Sequence, residues 1–335
     1  EKNTLAVRLE NLPESSRWYP GAGLYRNVHL IITEDAYIPV WGTYITTPSV
    51  NEKFAKVNVR TKVVLPEGAD PAKYSVETSV WNPNKQKLTA VRTSLAQMKY
   101  NNNQAEQEFV IQAPSLWSPE MPALYSAETR LYEGDKLKDI YTTPFGIRSI
   151  EIIPDKGFFL NGKRTVFKGV CNHHDLGPLG AAVNDAAIRR QIRILKDMGC
   201  NAIRTSHNMP APELIRACDE MGMMIMAESF DEWNVAKCKN GYNLLFDEWA
   251  EKDLVNLLHN FRNNPSVVMW CIGNEVPNQW NEGDCKIAKW LQDICHREDP
   301  TRPVTQGMDA PDAVVNNNFA AVMDVAGFNY RPFKY

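Results

Sequence analysis

Short polar clusters follow continuous apolar runs at five places in the second half of the chain. These clusters are Asn172-His173-His174-Asp175, Arg204 to Asn208, Glu228 to Trp233, Gly273-Asn274-Glu275 and Asn329-Tyr330-Arg331. They combine carboxylates, imidazoles, amides, a guanidinium and an indole. Such groups suit a pocket for a polyhydroxylated ligand, in which hydroxyls are hydrogen-bonded and an aromatic ring lies against one face of the ligand.

The apolar runs before these clusters predict strands that are buried on both faces, because they do not alternate with polar residues. Amphipathic helices are predicted between them. Repeated strand-helix units indicate a parallel sheet, either an eight-stranded barrel or a doubly wound sheet. No GxGxxG or P-loop follows the first strand, which weakens the nucleotide-binding option. The six predicted strands are Thr165–Val170, Asn201–Arg204, Met223–Ala227, Val267–Ile272, Pro303–Thr305 and Val325–Phe328.

The helices are predicted from apolar residues that recur with a helical spacing of three or four. We interpret these stripes as core, without a functional role. The first stripe, which is less regular, is Ile188, Ile192, Leu195 and Met198; the others are Leu254, Leu257, Leu258 and Phe261, and Ile287, Trp290, Leu291 and Ile294.

The first half of the chain follows a different pattern, in which apolar and polar residues alternate. Alternation with Pro and Gly breakers predicts half-buried antiparallel strands, and we expect an immunoglobulin-like β-sandwich over residues 38–147. Residues 1–37 share the β character but are too few for a domain, so we expect them to be the tail of a preceding one. The alternating runs include Val57, Val59, Thr61 and Val63, then Tyr74, Val76, Thr78 and Val80, then Tyr125, Ala127, Thr129 and Leu131.

Composition excludes several classes of protein. With 335 residues, 44% hydrophobic, the chain can bury the cores of two or more domains. A formal net charge of −3 from dispersed residues gives no reason to expect nucleic acid or an anionic membrane as a partner. No run approaches the roughly 18–20 apolar residues that span a bilayer. The start has no Met and no signal-peptide core, so the compartment stays open. The seven cysteines are odd in number and lack CxxC spacing, which favours buried free thiols over disulfides or a zinc site.

Taken together, the motifs resemble family 2 glycoside hydrolases, the β-galactosidases, β-glucuronidases and β-mannosidases, over essentially the whole chain. Arg17 to Arg26 resembles the end of that family's sugar-binding jelly roll, and Leu116 to Tyr125 the end of its immunoglobulin-like module. Gly146-Ile147-Arg148 is similar to its entry into the barrel. The resemblance implies a multidomain chain with a jelly-roll tail over residues 1–37, the sandwich over 38–147 and the first six strands of a (β/α)8 TIM barrel over 148–335.

The resemblance also implies retaining hydrolysis by two carboxylates roughly 5 to 5.5 Å apart. Glu275 matches the acid/base, and its position after an apolar strand is expected to remove it partly from water, which favours the protonated form. Asn274 matches the residue that binds the sugar 2-hydroxyl. Arg204 is expected to orient the nucleophile and keep it ionised, and Tyr330 to donate a hydrogen bond to it. Further contacts to the sugar are expected from His174, Asp175, His207 and Trp233.

The nucleophile itself is assigned to no residue of this chain. The family pattern places it at the end of strand seven, whereas the chain reaches only just beyond strand six, and Glu228, Asp231 and Glu232 on strand three do not match that position. We therefore expect an excerpt of a longer enzyme that would be inactive alone.

Several of these residues also have a structural alternative. Glu275 could be a solvated loop residue or a helix cap, and Arg204 could form a structural ion pair inside the barrel. His173 and His174 could be core histidines or metal ligands, although no metal-ligand spacing is visible. Tyr330 could be a packed rim aromatic, and Trp233 a cover for the rim.

We expect an exo-acting β-glycosidase with β-galactosidase specificity. β-Glucuronidase and β-mannosidase are the alternatives within the family. A carbohydrate-binding scaffold on a decayed barrel is the alternative from another class, and a carboxylate on strand seven would exclude it. The expected partner is an oligosaccharide or glycoside; a homo-oligomer is compatible with the family. No cofactor is expected, and nothing in the sequence demands a bound cation.

Overall fold

The computed structural model describes residues 2–18, 23–96 and 104–334. Its first folded unit consists of two facing antiparallel sheets. Their strands are β1 (Thr43–Val50), β2 (Phe54–Lys62), β3 (Tyr74–Trp81), β4 (Lys87–Ser94), β5 (Gln104–Gln112), β6 (Tyr125–Glu133) and β7 (Lys136–Phe145). One sheet has the order β1-β2-β5 and the other β4-β3-β6-β7. The predicted sandwich is therefore confirmed.

The alternating residues form the core of this sandwich. Side chains from both sheets pack in two clusters, because every second residue of a strand points to the same face. The threonines in the alternating positions are buried as well: the hydroxyls of Thr78 and Thr129 lie 3.3 Å apart across β3 and β6. The alternating positions that are buried are Val57, Val59, Thr61, Val63, Tyr74, Val76, Thr78, Val80, Tyr125, Ala127, Thr129 and Leu131.

A small antiparallel sheet that the sequence analysis did not anticipate follows the sandwich. It consists of β8 (Ile150–Ile153), β9 (Gly157–Leu160) and β10 (Lys163–Arg164). Phe158 and Leu160 of β9 pack against Trp117 and against residues that begin the strands of the next sheet, such as Ala202 and Met224. The small sheet therefore covers the N-terminal ends of those strands.

The second folded unit alternates strands with helices. Its strands are β11 (Gly169–Asn172), β12 (Ala202–Thr205), β13 (Met224–Glu228), β14 (Val267–Asn274), β15 (Val304–Met308) and β16 (Val325–Phe328). Its helices are α1 (Asp185–Asp197), α2 (Pro212–Met221), α3 (Phe246–Phe261), α4 (Cys285–Glu298) and α5 (Pro311–Asn316).

The strand order decides between the two sheet types that the sequence left open. The strands lie side by side in sequence order from β11 to β16, and each is parallel to the next. A doubly wound sheet would reverse its order at a switch point. In the described part of the chain the sheet is thus an incomplete TIM barrel of six strands.

Burial separates the inner strands from the edge strands. Every residue of β14 and β15 is buried, as predicted for strands covered on both faces. In the edge strands β11 and β16, by contrast, no residue is buried. The prediction was wrong there because each edge strand has a described neighbour on one side only.

The predicted first barrel strand lies too early in the sequence. Thr165–Val170 was predicted, but β11 begins at Gly169. The earlier residues continue the small hairpin, where the Thr165 amide donates to the Phe158 carbonyl and Phe167 packs against the Phe158 ring. An apolar run alone does not distinguish these two environments.

The predicted helical stripes are largely confirmed. The stripe of α3, from Leu254 to Phe261, is buried throughout. Met198 departs from the pattern and is 70% exposed, because α1 ends at Asp197 and the side chain lies past the packed face. Trp290 is also partly exposed, with its ring edge against Phe246.

The N-terminal segment forms no strand over its described residues 2–18 and 23–35, although its sequence has β character. A strand requires a paired strand beside it, and no described strand pairs with these residues. Hydrogen bonds nevertheless link the segment to the barrel: the Arg26 side chain donates to the carbonyls of Met209 and Pro210, and the Asn240 side chain donates to the carbonyl of Pro13.

The sandwich and the barrel share a buried junction at the N-terminal ends of the strands. Arg148 is buried and donates to the carbonyl oxygens of Pro265 (2.6 Å) and Val267 (2.7 Å). Gly146 contacts Pro265 so closely that an added Cβ would lie 2.5 Å from the proline ring. The Gly146-Ile147-Arg148 motif therefore forms part of the buried contact between the sandwich and the barrel.

Asp219 at this junction is expected to make stability depend on pH. Its carboxylate accepts hydrogen bonds from Asn264 and from the Ser266 amide, but burial raises its pKa to about 6. The folded state therefore binds the proton more tightly than the unfolded state, so this group lowers stability as pH rises from about 4 to 6. Asp219→Asn should remove that slope, which amounts to about 2–3 kcal/mol between pH 4 and 7. Urea unfolding at pH 4 and pH 7 measures this change in the free energy of unfolding, and Asp197→Asn, at an exposed position, is the control. The same change for wild type and Asp219→Asn would contradict the prediction.

All seven cysteines are free thiols, as predicted, but only three of them are buried. Cys171 is exposed because it lies in the edge strand β11. No helix among the described residues has both the length and the apolar character needed to cross a membrane.

Candidate active site

Arg204 lies at the centre of the polar residues that gather at the C-terminal ends of the barrel strands. Its Nε and Nη2 donate to the two carboxylate oxygens of Glu228, at 2.6 and 3.0 Å. Such bidentate pairs fix the guanidinium plane. Glu228 closes β13 and is fully buried, so the pair is held inside the sheet.

Asn274, the last residue of β14, has a fixed amide orientation. Its Oδ1 accepts from Arg204 Nη2 (3.0 Å) and from Asn329 Nδ2 (3.1 Å), while its own Nδ2 donates to Asp231 Oδ1 (3.2 Å). A flipped amide would direct a donor at two donors and an acceptor at a carboxylate. Since the side chain is 1% exposed, it cannot exchange these partners for water.

Glu275 follows directly and leaves the strand. It has a positive φ of 45°, which non-glycine residues seldom adopt, and its amide donates to the Gly307 carbonyl at 2.7 Å. Its Oε1 accepts from Asn329 Nδ2 at 2.8 Å. The residue is half-buried, in line with the expected partial removal from water. Glu275 is thus a partly accessible carboxylate beside a rigid polar network.

A second carboxylate, Asp231, is held by two cations. Arg17 of the N-terminal segment donates to both of its oxygens (2.9 and 2.8 Å), and Lys237 Nζ donates at 3.0 Å. Burial tends to raise the pKa of Asp231, but the two cations outweigh this and lower it. Lys237 also donates to the Asn274 carbonyl at 2.6 Å, so the loop after β13 is tied to the end of β14.

His207 joins this network, whereas His174 and Asp175 lie apart from it. His207 Nδ1 and Glu228 Oε1 form a hydrogen bond of 2.9 Å, and Trp18 packs on the His207 ring at 5.1 Å. His174 stacks on Tyr25, and burial lowers its pKa. His174 and Asp175 line a neighbouring cavity next to α1, and Asp175 accepts from the Gly177 amide.

A cleft of about 380 Å³ opens between the N-terminal segment and the strand ends. Its lining includes Trp18 and Arg17 together with His207 and Asp231, which they contact, whereas Glu275 and Asn274 are not among its lining residues. The cleft therefore combines an aromatic ring with charged hydrogen-bonding groups beside the network.

Trp233 and Tyr330 occupy opposite environments. Trp233 is fully buried, packs on Phe319 and donates to the Ile272 carbonyl (2.9 Å). This buried position agrees with the alternative stated above, in which Trp233 covers the barrel rim. Tyr330 is 73% exposed and has a positive φ of 59°, directly after Asn329.

The sequence analysis did not select several residues that the structure places in the network. Asn329 donates to both Asn274 and Glu275, and its position after β16 was the available signal. Arg17 and Asp231 are 214 positions apart, so their pairing had no local signal. No group of three or more His, Cys, Asp or Glu side chains in the described ranges is arranged to hold a metal ion.

The comparisons with known proteins agree with this arrangement. The model of the TIM barrel domain of glycosyl hydrolases family 2 matches residues 151–330, and a second model of glycosyl hydrolases family 2 matches residues 37–148. The chain belongs to glycosyl hydrolase family 2.

Its relatives in family 2 carry two kinds of names. The β-galactosidase BoGH2A of Bacteroides ovatus is 40% identical and aligns with 99% of this chain and 42% of its own length. A β-glucuronidase of Bacteroides fragilis is 30% identical and aligns with 91% of this chain and 45% of its own length. The chain thus spans less than half the length of these two curated relatives.

A solved structure supports the fold of this family 2 chain. A glycosyl hydrolase family 2 member from Bacteroides cellulosilyticus superposes with a TM-score of 0.87 at 37% identity. The match covers 94% of this chain and 40% of that protein.

Proposed function

We propose that the complete gene product is a retaining exo-acting β-glycosidase with β-galactosides as its preferred substrates. The proposal rests mainly on one observation, the half-buried Glu275 carboxylate beside the oriented Asn274 amide. Membership in family 2 and the similarity to a β-galactosidase of Bacteroides ovatus support it.

In this proposal Glu275 donates a proton to the departing glycosidic oxygen and then removes a proton from water. A general acid must reach the reacting oxygen, and Glu275 is accessible enough to do so. Asn274 retains a second amide hydrogen for the sugar 2-hydroxyl, since Asp231 accepts only one. Because the residue is 1% exposed, this contact requires the side chains that cover it to move when the sugar binds. Such a contact contributes most when it strengthens in the transition state.

The nucleophile is assigned to none of the carboxylates of β13 and the loop after it. Glu228 is bonded to Arg204 and His207, and Asp231 to Arg17 and Lys237. Glu232 is buried and accepts backbone amides of the loop from Lys237 to Asn243. A nucleophile needs a free oxygen near the anomeric carbon, which these three engaged carboxylates do not offer.

Arg204 and Tyr330 keep their proposed roles beside the nucleophile, and His207 its role on the sugar hydroxyls. His174 and Asp175 would contact a more distant part of the substrate, because they line the neighbouring cavity. For Trp233 we propose support of the pocket wall: an added Cβ on Gly273 would lie 3.1 Å from its indole, so the ring packs directly behind the end of β14.

Hydrolysis of p-nitrophenyl β-D-galactoside, β-D-glucuronide and β-D-mannoside by the complete gene product tests the proposal. Rapid cleavage of the galactoside, with the p-nitrophenyl α-D-galactoside left intact, is the expected result. Preferred cleavage of the glucuronide would support the second specificity, which similarity to a β-glucuronidase of Bacteroides fragilis favours. Sugar binding without turnover of any of the three would instead support a carbohydrate-binding protein.

Asn329→Ala is expected to lower kcat/KM by about 10- to 100-fold, because a hydrogen bond to a charged group contributes about 1.5–3 kcal/mol. The change removes the donor shared by Glu275 and Asn274. Initial rates on the preferred p-nitrophenyl glycoside measure the effect. Asn316→Ala, at an exposed position of α5, is the control and should match the wild type. Equal activity of both variants would show that Asn329 does not organise the site.

A further inference from the structure

A cationic cavity lies between the sandwich and the helices α3 and α4, remote from Glu275. It encloses about 260 Å³ and is lined by four Lys or Arg side chains but one carboxylate, Glu298. The chain as a whole has 37 basic and 40 acidic residues, so this local excess of positive charge is not a consequence of composition. The cationic lining residues are Arg60, Lys62, Arg262 and Arg297.

The carboxylates around the cavity are already engaged. Glu298 binds His259 at 2.7 Å and Arg297 at 2.7 Å, and Arg297 also pairs with Glu251. Asp299, which follows Glu298 in the chain but does not line the cavity, forms an ion pair with Arg302. Among the described residues no carboxylate forms an ion pair with Arg60, Lys62 or Arg262.

Arg60 and Arg262 both pack on one aromatic ring of the cavity lining. Their guanidinium carbons lie 4.6 and 4.5 Å from the centre of the same ring, that of Tyr44. Burial is the main cause that lowers the pKa of Arg262; Tyr44, Glu298 and Asp299 act against it, and Arg60 adds to it. Two guanidinium groups thus line the cavity, and Glu298, the carboxylate of the lining, is already bonded to His259 and Arg297.

Arg262 also has a buried donor without an acceptor. Its Nε is inaccessible and makes no hydrogen bond with any described group, and its Nη1 reaches the Glu298 carbonyl only at 3.3 Å. A buried unsatisfied donor costs about 1–3 kcal/mol, more when it is charged. Keeping Arg262 at the cavity wall therefore has an energetic cost that no described hydrogen bond offsets.

We propose that this cavity binds a small oxyanion, phosphate or sulfate, through Arg60, Lys62 and Arg262. Arg60 and Lys62 belong to β2 of the sandwich, and Arg262 follows α3 of the barrel, so the anion bridges the two units. Several cations around a concave wall suit a multivalent oxyanion better than chloride. The anion stabilises the junction and takes no part in catalysis.

Thermal unfolding of the complete gene product in inorganic phosphate tests this proposal. At about 10 mM phosphate the melting temperature is expected to rise by about 2–4 °C over chloride of equal ionic strength. Sulfate should act in the same way. Lys62→Glu introduces a carboxylate at an exposed position, so it should fold normally and lose the phosphate effect.

The control variant is Lys53→Glu, which makes the same charge change at an exposed position outside the cavity. It should keep the full phosphate effect. Calorimetric titration provides a second readout, in which Lys62→Glu is expected to weaken phosphate binding at least about tenfold. An absent rise in the wild type, or an equal rise in both variants, would overturn the proposal. Glycosidase activity should not change in either variant, because the cavity lies at the N-terminal end of the eight-residue strand β14 and Glu275 at the other, roughly 26 Å away.

Discussion

Replacement of Glu275 by glutamine is expected to lower kcat by about 10²–10⁴-fold, the usual contribution of general acid–base catalysis. Glutamine has the same shape and can still accept the hydrogen bond from Asn329 through its side-chain oxygen, so the fold should not change. What is lost is the proton that Glu275 delivers to the departing oxygen and the carboxylate that then accepts a proton from water. The rate on the preferred p-nitrophenyl glycoside measures this loss.

The dependence on leaving group makes this test specific. A dinitrophenolate leaves without a proton, whereas an alkoxide needs one, so Glu275→Gln should lower kcat/KM, which reports the step in which the leaving group departs, far more for an alkyl glycoside than for a dinitrophenyl glycoside. Glu282→Gln, at an exposed position in the loop before α4, is the matched control and should retain full activity. A loss smaller than about tenfold, or the same loss on both substrates, would show that Glu275 is not the general acid.

Replacement of Asp299 by alanine is expected to lower the free energy of unfolding by about 3–5 kcal/mol, the cost of breaking a buried ion pair. Asp299 is fully buried and accepts from Arg302 (2.6 Å), Trp270 (3.0 Å) and Tyr44 (2.7 Å). The variant leaves the Arg302 charge unpaired at 5% exposure and removes the acceptor of Trp270, Tyr44 and Thr301. Urea unfolding at pH 7 measures the difference.

The pH dependence of this difference has a definite sign. Burial tends to raise the pKa of Asp299, but Arg302 and the hydrogen-bond donors outweigh it, so the folded pKa is lowered. The stabilisation is therefore complete at neutral pH and is lost as pH falls below about 4. Asp293→Ala, which removes an exposed pair with Lys289, is the control and should cost less than about 1 kcal/mol. Similar decreases in the free energy of unfolding for both variants would show that the buried ion pair contributes no more than an exposed one.

The sequence patterns predicted the sandwich and the alternation of strands and helices, whereas the strand order in the structure showed that the parallel sheet is an incomplete barrel. Alternation predicted the sandwich, because a half-covered sheet requires a period of two, and continuous apolar runs predicted the inner strands β13 to β15. The sequence predictions were wrong at the edge of the sheet, at a helix end and in one small sheet. The strand β11 begins later than predicted, Met198 is exposed, and the small sheet of β8 to β10 was not expected, because short or half-covered elements carry little periodicity.

The candidate site, like the fold, could be predicted from the sequence only in part. Glu275, Asn274 and Arg204 could be selected from the sequence, since each ends or follows an apolar strand and parallel strands bring such residues to one edge. The residues that orient them could not. Asp231 is held by Arg17 from 214 positions away, and Asn329 reaches Glu275 across 54 positions. Likewise, burial of Trp233 depends on Phe319, far along the chain. Local sequence patterns determine the type and order of the strands and helices. The tertiary structure decides which side chains come into contact and which remain accessible, because these contacts join residues that are far apart in the chain.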